Sequence, residues 1–216
     1  MALIDPDIHI CSGLISNCYF ITRPAGITLV DCGLTLDYRK ILRLLIRLGY
    51  PEKPLQRILI THADGDHYGS AARLQKITSA RVASSPVEKE AIEKGGSSRP
   101  LKGSRLMTLA ANLVKPLFAA PAFTVDDTLM EGKAIPGLEF LKVLETPGHT
   151  PGHLSYWLEE AGILFAGDSI WEKGARPVAS SGINTWDMEL AKSSYDRQMQ
   201  LNPRLLCAGH TCMKLR

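Results

Sequence analysis

A layered α/β or α+β domain is what this sequence predicts, and three observations predict it. The 216 residues are enough for one domain with a sizeable core. Apolar segments of strand length alternate with segments of helical period. The two halves also echo each other: each carries apolar strands that end in an Asp or His turn, LVDCG and LITHADG in the first, LFAGD and LCAGH in the second. No short-period repeat accompanies that echo.

Taken in order, residues 14–22 and 27–31 read as two strands joined by a turn at Pro24-Ala25-Gly26. A helix follows over about 37–48. Ile41, Leu44, Leu45 and Leu48 share its apolar face, Arg39, Lys40, Arg43 and Arg47 its solvated face, and Gly49 supplies its stop. A buried strand at Ile58-Leu59-Ile60 precedes a short helix from about 69 to 76 and a strand candidate at ARVASS. Ser85-Pro86-Val87-Glu88 has the form of a capping box with proline in the first turn, opening a helix that ends near Gly95. Residues 97–123 hold Arg99, Lys102, Arg105 and Lys115 and no acidic residue, interleaved with Leu106, Met107, Leu109, Leu113, Leu117 and Phe118. They read as a helical cover over a site, as an excursion buried by a partner, or as a plain surface helix with a core face. Strands return at 140–144, 154–158 and 163–166. A helix over about 187–200 and a strand at 204–208 close the order.

Composition narrows the class. With 45% hydrophobic and 22% charged residues the chain is not of disordered type. A formal charge of +3 gives no argument for nucleic acid. MALIDPDIHI carries acids where a secretory signal carries basic residues, and the apolar runs fall short of a membrane span. Five scattered cysteines argue against a disulfide framework, so a cytoplasmic protein with reduced thiols is expected.

The chemistry concentrates after the Ile58 strand. That run stops at Thr61, and His62, Asp64, Asp66 and His67 follow within six positions. Two imidazoles and two carboxylates so close are costly at a packed strand end unless a cation sits among them. Such donors suit Zn, Fe or Mn. The plainer reading is a polar loop with capping aspartates. Further donors stand in turn-like settings after strands: His149 in ETPGHTPGH, Asp168 after LFAG, and His210 after LLCAG, with Gly148, Gly167 and Gly209 directly before them. His153 reads as support for the His149 loop, His9 as a surface or satisfied histidine. Cys32, Cys207 and Cys212 read as packing thiols. Tyr68 and Trp171 are candidate pocket walls for substrate, with ordinary core as the alternative. Ser155 and Ser169 lack a triad context, and no phosphate-binding glycine loop appears.

These motifs, in this order and across nearly the whole chain, resemble the metallo-β-lactamase-fold hydrolases: Asp31 in LVDCG, THADGDH, His149 in TPGHTPGH, Asp168 in FAGD and His210 in AGHT. The resemblance implies an α+β, αββα sandwich: two mixed β-sheets packed face to face with helices outside, as a single domain. It assigns His62, position 64 and His149 to one divalent metal ion and Asp66, His67 and His210 to a second. Asp168 bridges the two, and Asp31 fixes a ligand histidine from behind. Where the family commonly has HxHxDH, this chain has Asp64, as a metal ligand or as a loop aspartate outside the ligand set. As a ligand, Asp64 joins Asp66 and Asp168 in leaving two dications with one net positive charge, where a histidine leaves two. A weaker acid for the bound water follows, and Zn stays the expected ion while the added oxygen donor also admits Mn or Fe.

The expected activity is metal-assisted hydrolysis of an ester, thioester, lactone or related bond. A metal-bridged hydroxide oriented by Asp66, the catalytic residue, attacks a small-molecule substrate. The basic cover suggests an anionic portion on that substrate. A phosphodiesterase, a diiron redox protein related to flavodiiron-type members of the fold, and a non-catalytic binding module are the alternatives. The chain ends six residues after His210, so the C-terminal glutathione-binding region of a full glyoxalase II is not expected. A homodimer stays open, and no nucleic acid or membrane partner is expected.

Overall fold

A computed structural model describes residues 2–99 and 119–215. Two sheets carry the fold. The first is seven-stranded, in the order β1 (Ala2–Asp5), β2 (Ile8–Ser12), β3 (Asn17–Arg23), β4 (Gly26–Val30), β5 (Leu55–Leu59), β6 (Arg81–Ser84) and β7 (Asp127–Thr128). Its β1–β4 portion is antiparallel and its β4–β7 portion parallel. The second sheet has five strands: β8 (Leu141–Glu145), β9 (Leu154–Leu158), β10 (Ile163–Gly167), β13 (Leu205–Ala208) and β14 (Cys212–Lys214). β10 and β13 pair in parallel and the other neighbours antiparallel, so both sheets are mixed. A separate hairpin joins β11 (Ile170–Lys173) to β12 (Arg176–Ala179).

The period-2 alternation of strand side chains sorts the core into three apolar layers. Tyr19 and Ile21 of β3 and Leu59 of β5 face Tyr156, Phe165 and Cys207 of the second sheet. The intervening Cys18, Phe20 and Ile58 face the other way, onto α1 (Tyr38–Arg47), α3 (Ala71–Thr78) and α4 (Pro86–Glu93) through Ile41, Leu45, Leu74 and Ile92. On the far side of the second sheet, Trp157, Leu164 and Leu206 pack against Tyr195 and Met199 of α5 (Met188–Gln200). The molecule is the αββα sandwich that the resemblance implies.

Most elements form where the sequence puts them. Helix α1 buries Ile41, Leu44 and Leu45 and exposes its arginines. Two details differ. β3 begins at Asn17, because residues 13–16 close a turn through Gly13 N–H to the Ser16 carbonyl (2.7 Å). The Ser85 hydroxyl accepts from Glu88 N–H (3.2 Å), as a cap should, but the Glu88 carboxylate is spent elsewhere. Strands β1, β2, β7, β11, β12 and β14 are short edge or hairpin pieces with no strong apolar period of their own. Of the 97–123 segment, residues 100–118 lie outside the described residues, so a helical cover there stays an expectation. No helix among the described residues is long and apolar enough to cross a membrane.

Candidate metal centre

The strand ends of both sheets meet at one rim. From the first sheet come Asp31, just after β4, and the loop after β5, which carries His62 and Asp64 and winds into the single turn α2 (Gly65–Tyr68) with Asp66 and His67. From the second come His149 and His153 in the β8–β9 loop, Asp168 after β10 and His210 after β13. All seven expected ligands converge. Three overlapping groups keep one donor atom per residue within 4.8 Å of the others and could each hold a metal ion: His62, Asp64 and His149; His62, His67 and Asp168; Asp66, His67 and His210.

Hydrogen bonds behind the candidate ligands fix which nitrogen His62, His67 and His210 present, while His149 Nδ1 is buried without a partner among the described residues. Asp31 sits at φ 54°, a left-handed conformation that aspartate tolerates better than most residues. Its Oδ1 accepts the Thr61 amide (2.8 Å), and its Oδ2 accepts both the Thr61 hydroxyl and His67 Nδ1–H (2.8 Å each). Having donated to Asp31, the Thr61 hydroxyl is left to accept from His62 Nδ1–H (2.9 Å). His62 and His67 therefore both turn a bare Nε2 toward the centre. His210 does the same, its Nδ1 bonding the Ile15 carbonyl (3.1 Å) while Nε2 stands 3.1 Å from Asp168 Oδ2. Asp66 Oδ2 lies 3.7 Å from both His67 Nε2 and His210 Nε2. His153 keeps neither nitrogen free: Nε2 accepts the Asp168 amide (3.1 Å) and Nδ1–H donates to Thr146 (2.9 Å).

The charges are tightly packed. Burial disfavours an ionised Asp168, but His67, His210 and His149 outweigh it and hold this carboxyl well below its ordinary range. Burial likewise opposes a charged His67, yet Asp168, Asp66 and Asp31 push it well above the usual histidine value. His210 is raised by its bond to Asp168, while burial keeps His149 low and His153 very low. Despite this crowding, His62 Nε2, His67 Nε2 and Asp168 Oδ1 are buried without a hydrogen bond of good geometry among the described residues, the last two facing each other at 3.3 Å. Donor atoms left bare in a dry pocket are expensive. Divalent cations would satisfy all three, so the donor set fits a metal centre.

Two supporting groups escape sequence reasoning in this role. Glu88 is completely buried and accepts four donors: the Ala63 amide (2.8 Å), Thr150 hydroxyl (2.7 Å), Gly152 amide (2.9 Å) and Ser98 hydroxyl (2.8 Å). It thereby ties the His62 loop to the His149 loop. Its place inside a capping box hides that role. Arg99 binds Asp64 Oδ2 through Nη2 (2.6 Å).

The expected pocket walls separate. Trp171 lies beside the centre, its ring centroid 6.0 Å from that of His149, on a cleft of about 490 Å³ that also takes in His210 and Thr211. Tyr68 is 2% exposed and packs in the helix-side core near Phe123, with its hydroxyl 3.4 Å from the Gly96 carbonyl. His9 pairs across to Phe20 in the sheet, away from the centre.

YobT of Bacillus subtilis (strain 168), itself uncharacterized, is 31% identical over 90% of this chain and 82% of its own length. The probable metallo-hydrolase YflN of the same organism is 26% identical over 94% and 83%. A hydroxyacylglutathione hydrolase of Cereibacter sphaeroides (strain ATCC 17025 / ATH 2.4.3) is 32% identical over 72% of this chain, which spans about half (48%) of that enzyme. Among solved structures, the B3 metallo-beta-lactamase BLEG-1 superposes with a TM-score of 0.75 at 22% identity, covering 95% of this chain and 92% of its own. TTHA1623, solved in a di-iron-bound form, gives 0.73 at 26% identity, covering 96% and 94%. The model of the metallo-beta-lactamase superfamily matches residues 11–210, and the chain belongs to that superfamily.

Proposed function

We propose that this chain is a hydrolase with a dinuclear metal centre, acting on an ester, thioester or lactone of a small molecule. The observation that carries the reading is the convergence of bare, buried His62 Nε2, His67 Nε2 and Asp168 Oδ1 at the rim where both sheets end. In this assignment His62, Asp64 and His149 would hold one ion and Asp66, His67 and His210 the other, with Asp168, grouped with both His62 and His67, available to each. When bound, divalent ions supply Lewis acidity: a water nucleophile usable near neutral pH and polarisation of the electrophile's oxygen. The protein's own part is positional. Asp31 and Thr61 lock two imidazoles in one tautomer, and His153 holds the Asp168 backbone. Asp66, 8% exposed, offers a carboxylate to orient a water or take its proton. The Trp171 cleft gives an acyl group an apolar wall on the open side of His149.

The hydroxyacylglutathione hydrolase relatives favour a thioester among these substrates, and the probable metallo-hydrolase YflN supports the broader class. Zinc is the ion this reading expects. Iron is the second reading, because Asp64 adds an oxygen donor and the similar TTHA1623 was solved with two irons. The test is metal quantification on protein purified without chelator, followed by a panel of thioesters, lactones, phosphodiesters and cephalosporins. Two equivalents of zinc with thioester or lactone turnover is the expected result. Two redox-active irons without turnover favours the second reading, and a chain that takes up no ion overturns both.

A further inference from the structure

The residue that calls for explanation is Arg99. A guanidinium cannot shed its proton, so placing one against a cation-binding centre opposes the ions that centre is built to hold. Yet its Nη2 lies 2.6 Å from Asp64 Oδ2, and its Nη1 donates to the Asn184 carbonyl. Both partners are largely shielded, their side chains 21% and 12% exposed. The neighbours are anchored too: the Ser97 hydroxyl donates to Asp64 Oδ1 (2.7 Å) and the Ser98 hydroxyl to Glu88 (2.8 Å). Three consecutive side chains thus clip this segment onto the rim.

Consider what that leaves Asp64 able to do. A carboxylate has about four lone-pair directions. Ser97 takes one on Oδ1 and Arg99 one on Oδ2. The remaining direction of Oδ2 points toward His149 Nε2 (3.3 Å) and His62 Nε2 (3.6 Å). The centre also carries three carboxylates, Asp64, Asp66 and Asp168, and Arg99 is the cation paired with one of them. We infer that Arg99 is a positioning residue that offsets the charge of Asp64 and, with Ser97, fixes the orientation in which its Oδ2 faces His62 and His149. The inference rests on the metal-centre reading above. Its consequence is a charge account: relative to a histidine at position 64, Asp64 lowers the charge of the centre by one and Arg99 restores it. The weaker acidity expected from the extra carboxylate is thereby countered.

The experiment compares wild type, Arg99→Gln, Arg99→Lys, Asp64→Asn and the Asp64→Asn/Arg99→Gln pair. Zinc affinity is read by competition with a chromophoric chelator, and the visible spectrum of the cobalt-loaded protein is recorded. Removing one cation from beside the centre should tighten zinc binding about tenfold or more in Arg99→Gln. Its cobalt bands should change as Oδ2, released from Arg99, moves relative to the histidines while Ser97 still holds Oδ1. Arg99→Lys, which keeps the charge, should stay near wild type in zinc affinity. In the Asp64→Asn background the tightening should vanish, because Arg99 then has no carboxylate to hold it in place. A merely structural Arg99 would instead lower the melting temperature and weaken zinc, with the cobalt spectrum of the loaded protein unchanged. Weaker or unchanged zinc binding in Arg99→Gln overturns the inference, as does tightening that persists in the Asp64→Asn background. If Asp64→Asn does not fold, the Gln and Lys variants at position 99 decide the matter alone. A wild type that binds no zinc refutes the metal-centre reading itself, a result separate from any of these.

Discussion

Glu88→Gln isolates the carboxylate that joins the two ligand loops. The substitution keeps size and shape. If the amide oxygen takes the place of Oε1, it still accepts from Ser98, Thr150 and Gly152, but as a neutral group. The amide NH2 then faces the Ala63 amide, so two donors meet where a donor and an anion stood. An unsatisfied buried N–H costs about 1–3 kcal/mol, and losing the charge on the remaining bonds adds on the order of 1 kcal/mol. A total of about 3 kcal/mol corresponds to a fall of about 6–12 °C in melting temperature for a chain of this size. Because the Ala63 and Thr150 backbones neighbour His62 and His149, divalent-ion affinity should fall alongside. The assay is thermal unfolding followed by circular dichroism, with and without saturating zinc. A variant melting within about 2 °C of wild type would show that Glu88 carries little of the loop geometry.

Three further outcomes are expected. Gly209→Ala places a Cβ 2.0 Å from Asp168 Oδ1 and 2.6 Å from His67 Cε1. Zinc stoichiometry by elemental analysis should drop while the far-ultraviolet spectrum holds. Asp31→Asn tolerates the left-handed backbone but turns an NH2 toward one of its donors, so ion affinity should fall about 10–100-fold by chelator competition. The ion-free protein should also show a particular pH profile in thermal melts. The raised His67 contributes stability fully present below about pH 6.5 and lost as pH climbs through its elevated value. The depressed Asp168 contributes stability present above about pH 4 and lost as pH falls through its lowered value. His149 and His153, lowered by burial, act the other way and lose stability as pH falls below about 6.5, so greatest stability should lie near that value. Zinc added near pH 7.5 should displace the His67 proton, seen as proton release in calorimetry across buffers of different ionisation enthalpy. Equal heats in all buffers would contradict this.

How much of the molecule is legible in its sequence depends on whether a residue's partners lie near it along the chain. The Ile58 strand and the donors behind it stand in one short stretch, and their setting after an apolar run foretells a site at a strand end. His149, Asp168 and His210 are readable from glycine-flanked turns after strands and from family resemblance. Glu88 is not, because its partners Ala63, Thr150 and Gly152 are distant in sequence and Ser85 offers a sufficient local account of it. Arg99 reads as one base of a cover, and only the fold brings it to Asp64. Tyr68 shows the opposite effect: adjacency to His67 suggests a pocket wall, but a helical turn sends successive side chains in different directions, and this one enters the core.

The rim that gathers the seven donors belongs to neither sheet alone. His62, Asp64, Asp66 and His67 depart from the first, His149, Asp168 and His210 from the second. A folding intermediate with only one sheet formed therefore owns half a coordination sphere. Tight ion capture would have to await docking of the sheets, and a captured ion would then staple them together. Zinc uptake during refolding should accordingly lag behind the appearance of secondary structure and mark the moment at which the two layers close.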